Sequence, residues 1–229
     1  MKKMVIPLLL FFTMPNLFGQ VNYDQSIQLG DDNYIEVNQK GLLQYNYVTQ
    51  VGDSNSADVN QKGLMNMNLI YSQGEGNEND IDQIGFANYS KTIQLGNNNI
   101  NDLDQIGAFN AAVLYQFGNN NESDIDQIGF FNYSRQVQGG DGNGAYIVRL
   151  GHHNISIQEQ EDDSNLAIGF QFGNFNYIHQ VQSGGHNFAF DSQLGLFNQS
   201  TVGQNGDRNM HLGNQLGFFN SLSVVQNGN

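Results

Sequence analysis

The sequence predicts an all-β chain folded as a β-solenoid of 22-residue rungs, with two strands and two turns per rung, amyloid-like in its stacking. Three observations carry that expectation. The motif Gln-x-Gly-x-x-Asn returns every eleven residues from Gln28 to Gln226 without one insertion or deletion. Between the Asn of one motif and the Gln of the next, the residues alternate as a half-buried strand does. The pair before each Asn switches between polar and apolar, so the full period is twice eleven. Eleven-residue repeats also occur in right-handed helical supercoils, but a Gly and an Asn in every period contradict a long helix.

The first element is residues 1–19. Lys2 and Lys3 precede an apolar stretch, Val5–Phe12, and a polar break ending at Gly19. That order reads as a secretory signal peptide cleaved before Gln20, and the apolar run is too short to span a bilayer. The expectation is therefore an exported chain, 20–229, forming one repeat domain without membrane insertion. Cysteine is absent, so no disulfide staples it. Losing the two lysines moves the net charge from −14 to −16, which makes nucleic acid an unsuitable partner.

The strands run from 22–28 to 220–226 and number about nineteen, or nine and a half rungs. In one of them Asn121, Ser123, Ile125 and Gln127 face one way, and Glu122, Asp124 and Asp126 the other. Small residues two places after the Asn (Ala57, Ser90, Ala112, Ala167) and aliphatic ones two further on (Val37, Val59, Ile81, Leu103) point inward. Stacking rungs about 4.8 Å apart lays like side chains over one another. Buried amides repeated at that spacing bond up and down the stack. The expected ladder includes Gln28, Gln50, Gln94, Gln116 and Gln138, with Gln83, Gln105 and Gln127 on the alternate strands. Its asparagine counterpart comprises Asn33, Asn55, Asn99 and Asn121, and on the other turns Asn88, Asn110 and Asn132. Ser72 and Arg149 break the Gln column, Gln44 the Asn column, and Asp162 the Gly column.

The turns come next. Gly30, Gly52, Gly85, Gly107 and Gly129 suit a turn that needs positive φ, and the Asn can bond nearby backbone or itself tolerate left-handed geometry. Asp31-Asp32, Asp53-Ser54 and Asn97-Asn98 are polar pairs, whereas Leu42-Leu43, Phe86-Ala87 and Phe130-Phe131 are apolar. Stacked apolar turns give one ridge including Leu42, Leu64, Phe86, Phe109, Phe130, Phe175, Phe197 and Phe219. An exposed strip of that kind marks an interaction surface, unless the rings tuck over the core.

The motif with a small residue two places after its Asn, as in Gln50, Gly52, Asn55 and Ala57 or Gln138, Gly140, Asn143 and Ala145, resembles the curlin repeat. The resemblance covers nearly the whole chain after residue 20. Curlins are the secreted subunits of curli, bacterial functional amyloid fibres of adhesion and biofilm matrix. What the resemblance implies is a structural subunit that polymerises with itself and with a second curlin-like subunit, outside the cell at the bacterial surface. A minor nucleator of the same fibre fits the same residues. So does a different class, a monomeric β-solenoid binding polysaccharide or ice, although the outward columns hold few of the Thr that ice binding favours. Strand edges open at both ends of the stack invite another subunit to continue the sheet.

The two outer faces differ. Glu36, Asp58, Asp80, Asp102 and Asp124 recur at 22-residue spacing, with Asp82, Asp104 and Asp126 two places along. Carboxylates that close repel, raise one another's pKa, or attract a divalent cation such as Ca²⁺. The plainer reading is a solvated face that limits sideways sticking. The opposite face carries Tyr47, Leu69, Lys91, Val113, Arg135, Ile157, His179 and Thr201, apolar and weakly basic, suited to a neighbouring filament's acidic face or apolar turns. No cofactor is implied. His152, His153, His179, His186 and His211 lack metal-ligand spacing, and no catalytic fingerprint occurs. Paired aspartates that recur on several rungs are unlike a single acid–base pair in a cleft, so an enzyme is not expected.

Overall fold

The computed structural model describes residues 21–228, and the expected signal peptide lies outside the described residues. Nineteen strands follow one another, from β1 (Tyr23–Leu29) and β2 (Tyr34–Leu42) to β18 (Met210–Phe218) and β19 (Ser221–Asn227), with no helix among the described residues. The odd-numbered strands form a ten-stranded sheet and the even-numbered ones a nine-stranded sheet. Every strand pairs in parallel with the strand two places along the chain, at a shift of 22 residues: Gln28 lies opposite Gln50 and Asp102 opposite Asp124. Parallel neighbours need a crossover. Here the crossover is a strand of the other sheet with a tight turn on each side, so the chain winds as a β-solenoid of about nine turns.

The sheets face each other across a narrow core. Val59, Ile81, Leu103 and Ile125 from the nine-stranded sheet meet Val48, Ile70 and Leu114 from the ten-stranded one, all buried. Burying each such side chain contributes about 1.5–3 kcal/mol. Small residues fill the neighbouring inward positions, Ala57, Ala145, Ala167 and Ala189 being fully buried. Those positions sit beside the turns, as the second residue of each strand.

Turn geometry explains the glycines and corrects the expectation for asparagine. Gly30, Gly52, Gly85, Gly107 and Gly129 have φ of +120°, +112°, +129°, +126° and +130°. Left-handed geometry also falls on the residue before the Asn, not on the Asn: Leu43, Met65, Phe109, Phe131, Phe175 and Phe197 have φ between 55° and 59°. A second constraint acts on the glycines. A Cβ on Gly107 would lie 2.0 Å from the carbonyl oxygen of Gly129 in the next rung. Turn backbone therefore rests directly on turn backbone, and no side chain fits between. Asp162, the one non-glycine in this column, takes φ +67° instead.

The apolar ridge is two columns rather than one. Leu42, Leu64, Phe86 and Phe130 stand in the paired column at the strand ends. Phe109, Phe131, His153, Phe175, Phe197 and Phe219 stand in the left-handed column, ring on ring at 4.8–5.0 Å. Phe86 joins the two by an edge contact to Phe109 at 5.0 Å. These rings are exposed, 43% at Phe109 and 45% at Phe197, so they do not tuck over the core.

Replacing Gly107 with Ala should destabilise the solenoid by more than the roughly 1–3 kcal/mol that an unfavourable φ costs, because the added methyl also meets the Gly129 carbonyl. Thermal unfolding by circular dichroism measures this. A loss below about 1 kcal/mol would show that the turns are not in contact.

Candidate functional site: amide columns and exposed faces

The glutamine columns lie inside, one residue before the end of the odd-numbered strands and three before the end of the even-numbered ones. Gln94 Nε2 donates to Gln116 Oε1 at 2.9 Å, and Gln116 to Gln138 at 2.9 Å. In the other sheet Gln83 donates to Gln105 at 2.8 Å and Gln105 to Gln127 at 2.7 Å. Gln28 starts the first column by donating to Gln50 at 3.2 Å. From Gln39 onward the column Nε2 groups also use a hydrogen to cross between sheets, as Gln105 does to the Tyr89 carbonyl at 3.0 Å. One side chain thus ties rung to rung and wall to wall. Such bonds satisfy amides that would otherwise cost about 1–3 kcal/mol each when buried.

Asparagines do the same work at the turns, in the opposite direction. Asn55 Nδ2 donates back to Asn33 Oδ1 at 3.0 Å, and Asn121 to Asn99 at 3.2 Å. On the other edge Asn110 donates to Asn88 at 3.2 Å and Asn132 to Asn110 at 3.1 Å. Each also caps the glycine carbonyl of the rung ahead, as Asn88 does with Gly107 at 3.1 Å. Its Oδ1 accepts the backbone N–H of the next Asn; Asn99 Oδ1 takes that of Asn121 at 3.1 Å.

A further polar column was not anticipated. Gln136 donates to Gln158 at 2.9 Å and Gln158 to Gln180 at 2.9 Å, all fully buried in the middle of the ten-stranded wall. Gln180 donates to Asp191 at 2.9 Å, and Asp191 Oδ1 also accepts from the Ser200 hydroxyl at 2.7 Å and meets His211 Nε2 at 3.2 Å. The signal was present as Gln at a constant spacing of 22 in a column that is aliphatic at Val48, Ile70 and Leu114.

Arg149 is a defect in the glutamine column. It is fully buried, its Nη1 bonds the carbonyls of Tyr133 and, at 3.3 Å, Asn154. Among the described residues no partner meets its Nε and Nη2 or Gln171 Oε1. Burial without a counter-charge pushes the guanidinium pKa down to about 9.

The acidic residues line up on the outer face of the nine-stranded sheet. Glu36, Asp58, Asp80, Asp102 and Asp124 are paired in series, and Asp82, Asp104 and Asp126 form the adjoining column. Partial burial, and then the neighbouring carboxylates Asp82, Asp102 and Asp126, push Asp104 up to about 6. Asp124 is raised to about 6 by burial and by Asp126, Asp102 and Asp104. Asp58, Asp80, Asp102 and Asp126 are raised as well, burial being the largest cause in each. No group of three or more His, Cys, Asp or Glu among the described residues could hold a metal ion.

On the other outer face Tyr47, Leu69, Lys91, Val113, Arg135, Ile157, His179 and Thr201 form one column. Its cations find partners on their own face: Lys91 donates to the Tyr115 hydroxyl at 3.0 Å and Arg135 pairs with Glu159. His152 and His153 stack on Phe130 and Phe131, at 5.1 and 5.0 Å, as members of the turn columns.

Two measurements follow from this geometry. Arg149→Gln restores a neutral amide between Gln127 and Gln171 and should stabilise the fold by about 2 kcal/mol, read as a raised Tm; a lowered Tm would mean that the buried cation is compensated. For the aspartates, the folded pKa exceeds the unfolded value of 3.8. Between about pH 4 and 6 the unfolded chain releases protons that the folded column keeps, so stability is greatest below that window and falls as pH rises through it. Asp104→Asn combined with Asp124→Asn should flatten the slope and raise Tm near pH 7, while an unchanged pH profile would locate the repulsion elsewhere.

Known families bear on these columns. The curlin associated repeat matches residues 30–63 and 96–129. No curated protein matches the chain. Within the matched segments lie Gly52, Asn55, Gln116 and Asn121, so the chain carries curlin associated repeats there, and the same register continues through the remaining rungs.

Proposed function

We propose that the chain is a secreted structural subunit that polymerises end to end into extracellular curli-like amyloid fibres, serving adhesion and biofilm matrix at the bacterial surface. The observation that carries this reading is the complementarity of the two ends of the stack. Inside the solenoid the column Gln donate Nε2 hydrogens towards the C-terminal end, whereas the Asn Oδ1 atoms face that end and accept from the next rung. Gln215 and Gln226 therefore present Nε2 hydrogens at the last rung, and Gln28 and Gln39 present Oε1 acceptors at the first. Two first rungs, or two last rungs, would set like groups against each other. A head-to-tail contact satisfies both columns and continues two parallel sheets.

Supporting this are the curlin repeats and an export signal read from residues 1–19. Repulsion along the aspartate face restrains lateral contact, leaving elongation favoured over clumping. A second curlin-like subunit starting or anchoring the fibre is part of the same proposal, and the activity is assembly rather than catalysis.

Purified 20–229 should form unbranched fibres by electron microscopy, with a meridional reflection near 4.8 Å. Leu222→Lys with Val224→Lys, on the inward face of β19, should slow elongation at least tenfold while leaving the circular dichroism spectrum unchanged. A solution that stays monomeric at all concentrations would overturn the proposal and favour a polysaccharide-binding solenoid.

A further inference from the structure

Each strand within the chain pairs with the strand two places along, and successive strands fall in alternate sheets. The nine-stranded sheet ends on β18 and the ten-stranded sheet on β19. Continuing the series, the strand that follows β19 pairs with β18. If the next strand is β1 of a second copy, an odd-numbered strand extends the even-numbered sheet. Seating that β1 on β19 instead would place the second copy's β2 two strand spacings from β18, leaving a strand-wide gap of water against the core.

We propose that successive subunits join with a half-turn about the fibre axis, β18 pairing with β1 and β19 with β2 of the next copy. The proposal rests on the end-to-end reading and specifies its joint. The eleven-residue motif permits it, since the Gln, Gly and Asn positions recur in both sheets. A rotation of 180° also reverses strand direction, so the new pairs remain parallel.

The inward side chains at the two ends discriminate between the arrangements. In the half-turn joint, with Gln226 over Gln39, Leu222 and Val224 of β19 fall on Ile35 and Val37 of the next copy, aliphatic on aliphatic. With Gln215 over Gln28, His211 and Gly213 of β18 fall on Asp24 and Ser26. His211 already bonds the buried Asp191 at 3.2 Å, and Asp24 is itself the inward residue to which Asn46 donates at 2.6 Å. The joint therefore encloses a histidine between two carboxylates. Without the half-turn, Leu222 would press on Asp24 and leave that carboxylate buried against a methyl group, a costly contact.

The consequence for the fibre is an exchange of faces at every joint. The Glu36–Asp124 column of one copy is followed along the axis by the apolar face of the next, and the stacked phenylalanines move to the other edge.

The chain has no cysteine, so two introduced thiols read the joint directly. Ser223→Cys with Glu36→Cys places thiols one strand spacing apart, about 4.8 Å, across a half-turn joint. Ser223→Cys with Gln25→Cys does so across an unrotated joint and sets them on opposite faces of a half-turn joint. Fibres of each variant are treated with a methanethiosulfonate crosslinker bearing a two-carbon spacer, then dissolved and run on a denaturing gel. The expected result is an oligomer ladder from the first variant and its loss in the second. A ladder from the second alone overturns the half-turn and keeps end-to-end growth. Fibres that give no ladder from either pair overturn the proposed register. Failure of the unsubstituted protein to form fibres overturns the end-to-end reading itself. If Glu36→Cys prevents assembly, Leu212→Cys with Gln25→Cys reports the same half-turn joint on the other sheet.

Discussion

Amide-to-amide hydrogen bonding between identical residues one rung apart is the constraint on which the architecture depends. A buried Gln costs least when its oxygen and both hydrogens are met. In this solenoid the partners are the Gln above, the Gln below and a carbonyl of the facing sheet. That arrangement exists at one register alone, because a slip of one residue turns every inward side chain outward. The aliphatic core favours burial in general, whereas the amides fix which residue lies over which.

The glycine turns answer the same constraint from the backbone side. Amides can span one strand spacing only if the turns descend no more steeply than the strands, which brings carbonyl against Cα at each corner. The phenylalanines held in left-handed geometry show how far the turn shape is imposed: a residue type poorly suited to positive φ adopts it and gains contact with the ring above.

The spacing of Gln, Gly and Asn made the rung length, the strand count, the parallel register and the two outer faces legible in the sequence, because a fixed period converts position directly into height and facing. Other features were not legible. Left-handed geometry at Phe109 rather than at Asn110 depends on the hydrogen bonds that hold the Asn, which no single-residue preference records. The buried Gln136, Gln158 and Gln180 looked like departures from an aliphatic pattern and are a polar column of their own. The single apolar ridge resolved into two columns, since chain neighbours in a turn point in different directions. Arg149 was visible as an exception, but its lack of a counter-charge was not.

The opposed orientation of the two amide families has a consequence for length. Glutamine dipoles point one way along the axis and asparagine dipoles the other, so their sum does not accumulate as rungs are added. A helix of similar length builds a field at each end. Here the two amide families oppose each other, so adding rungs does not build a comparable field from these side chains.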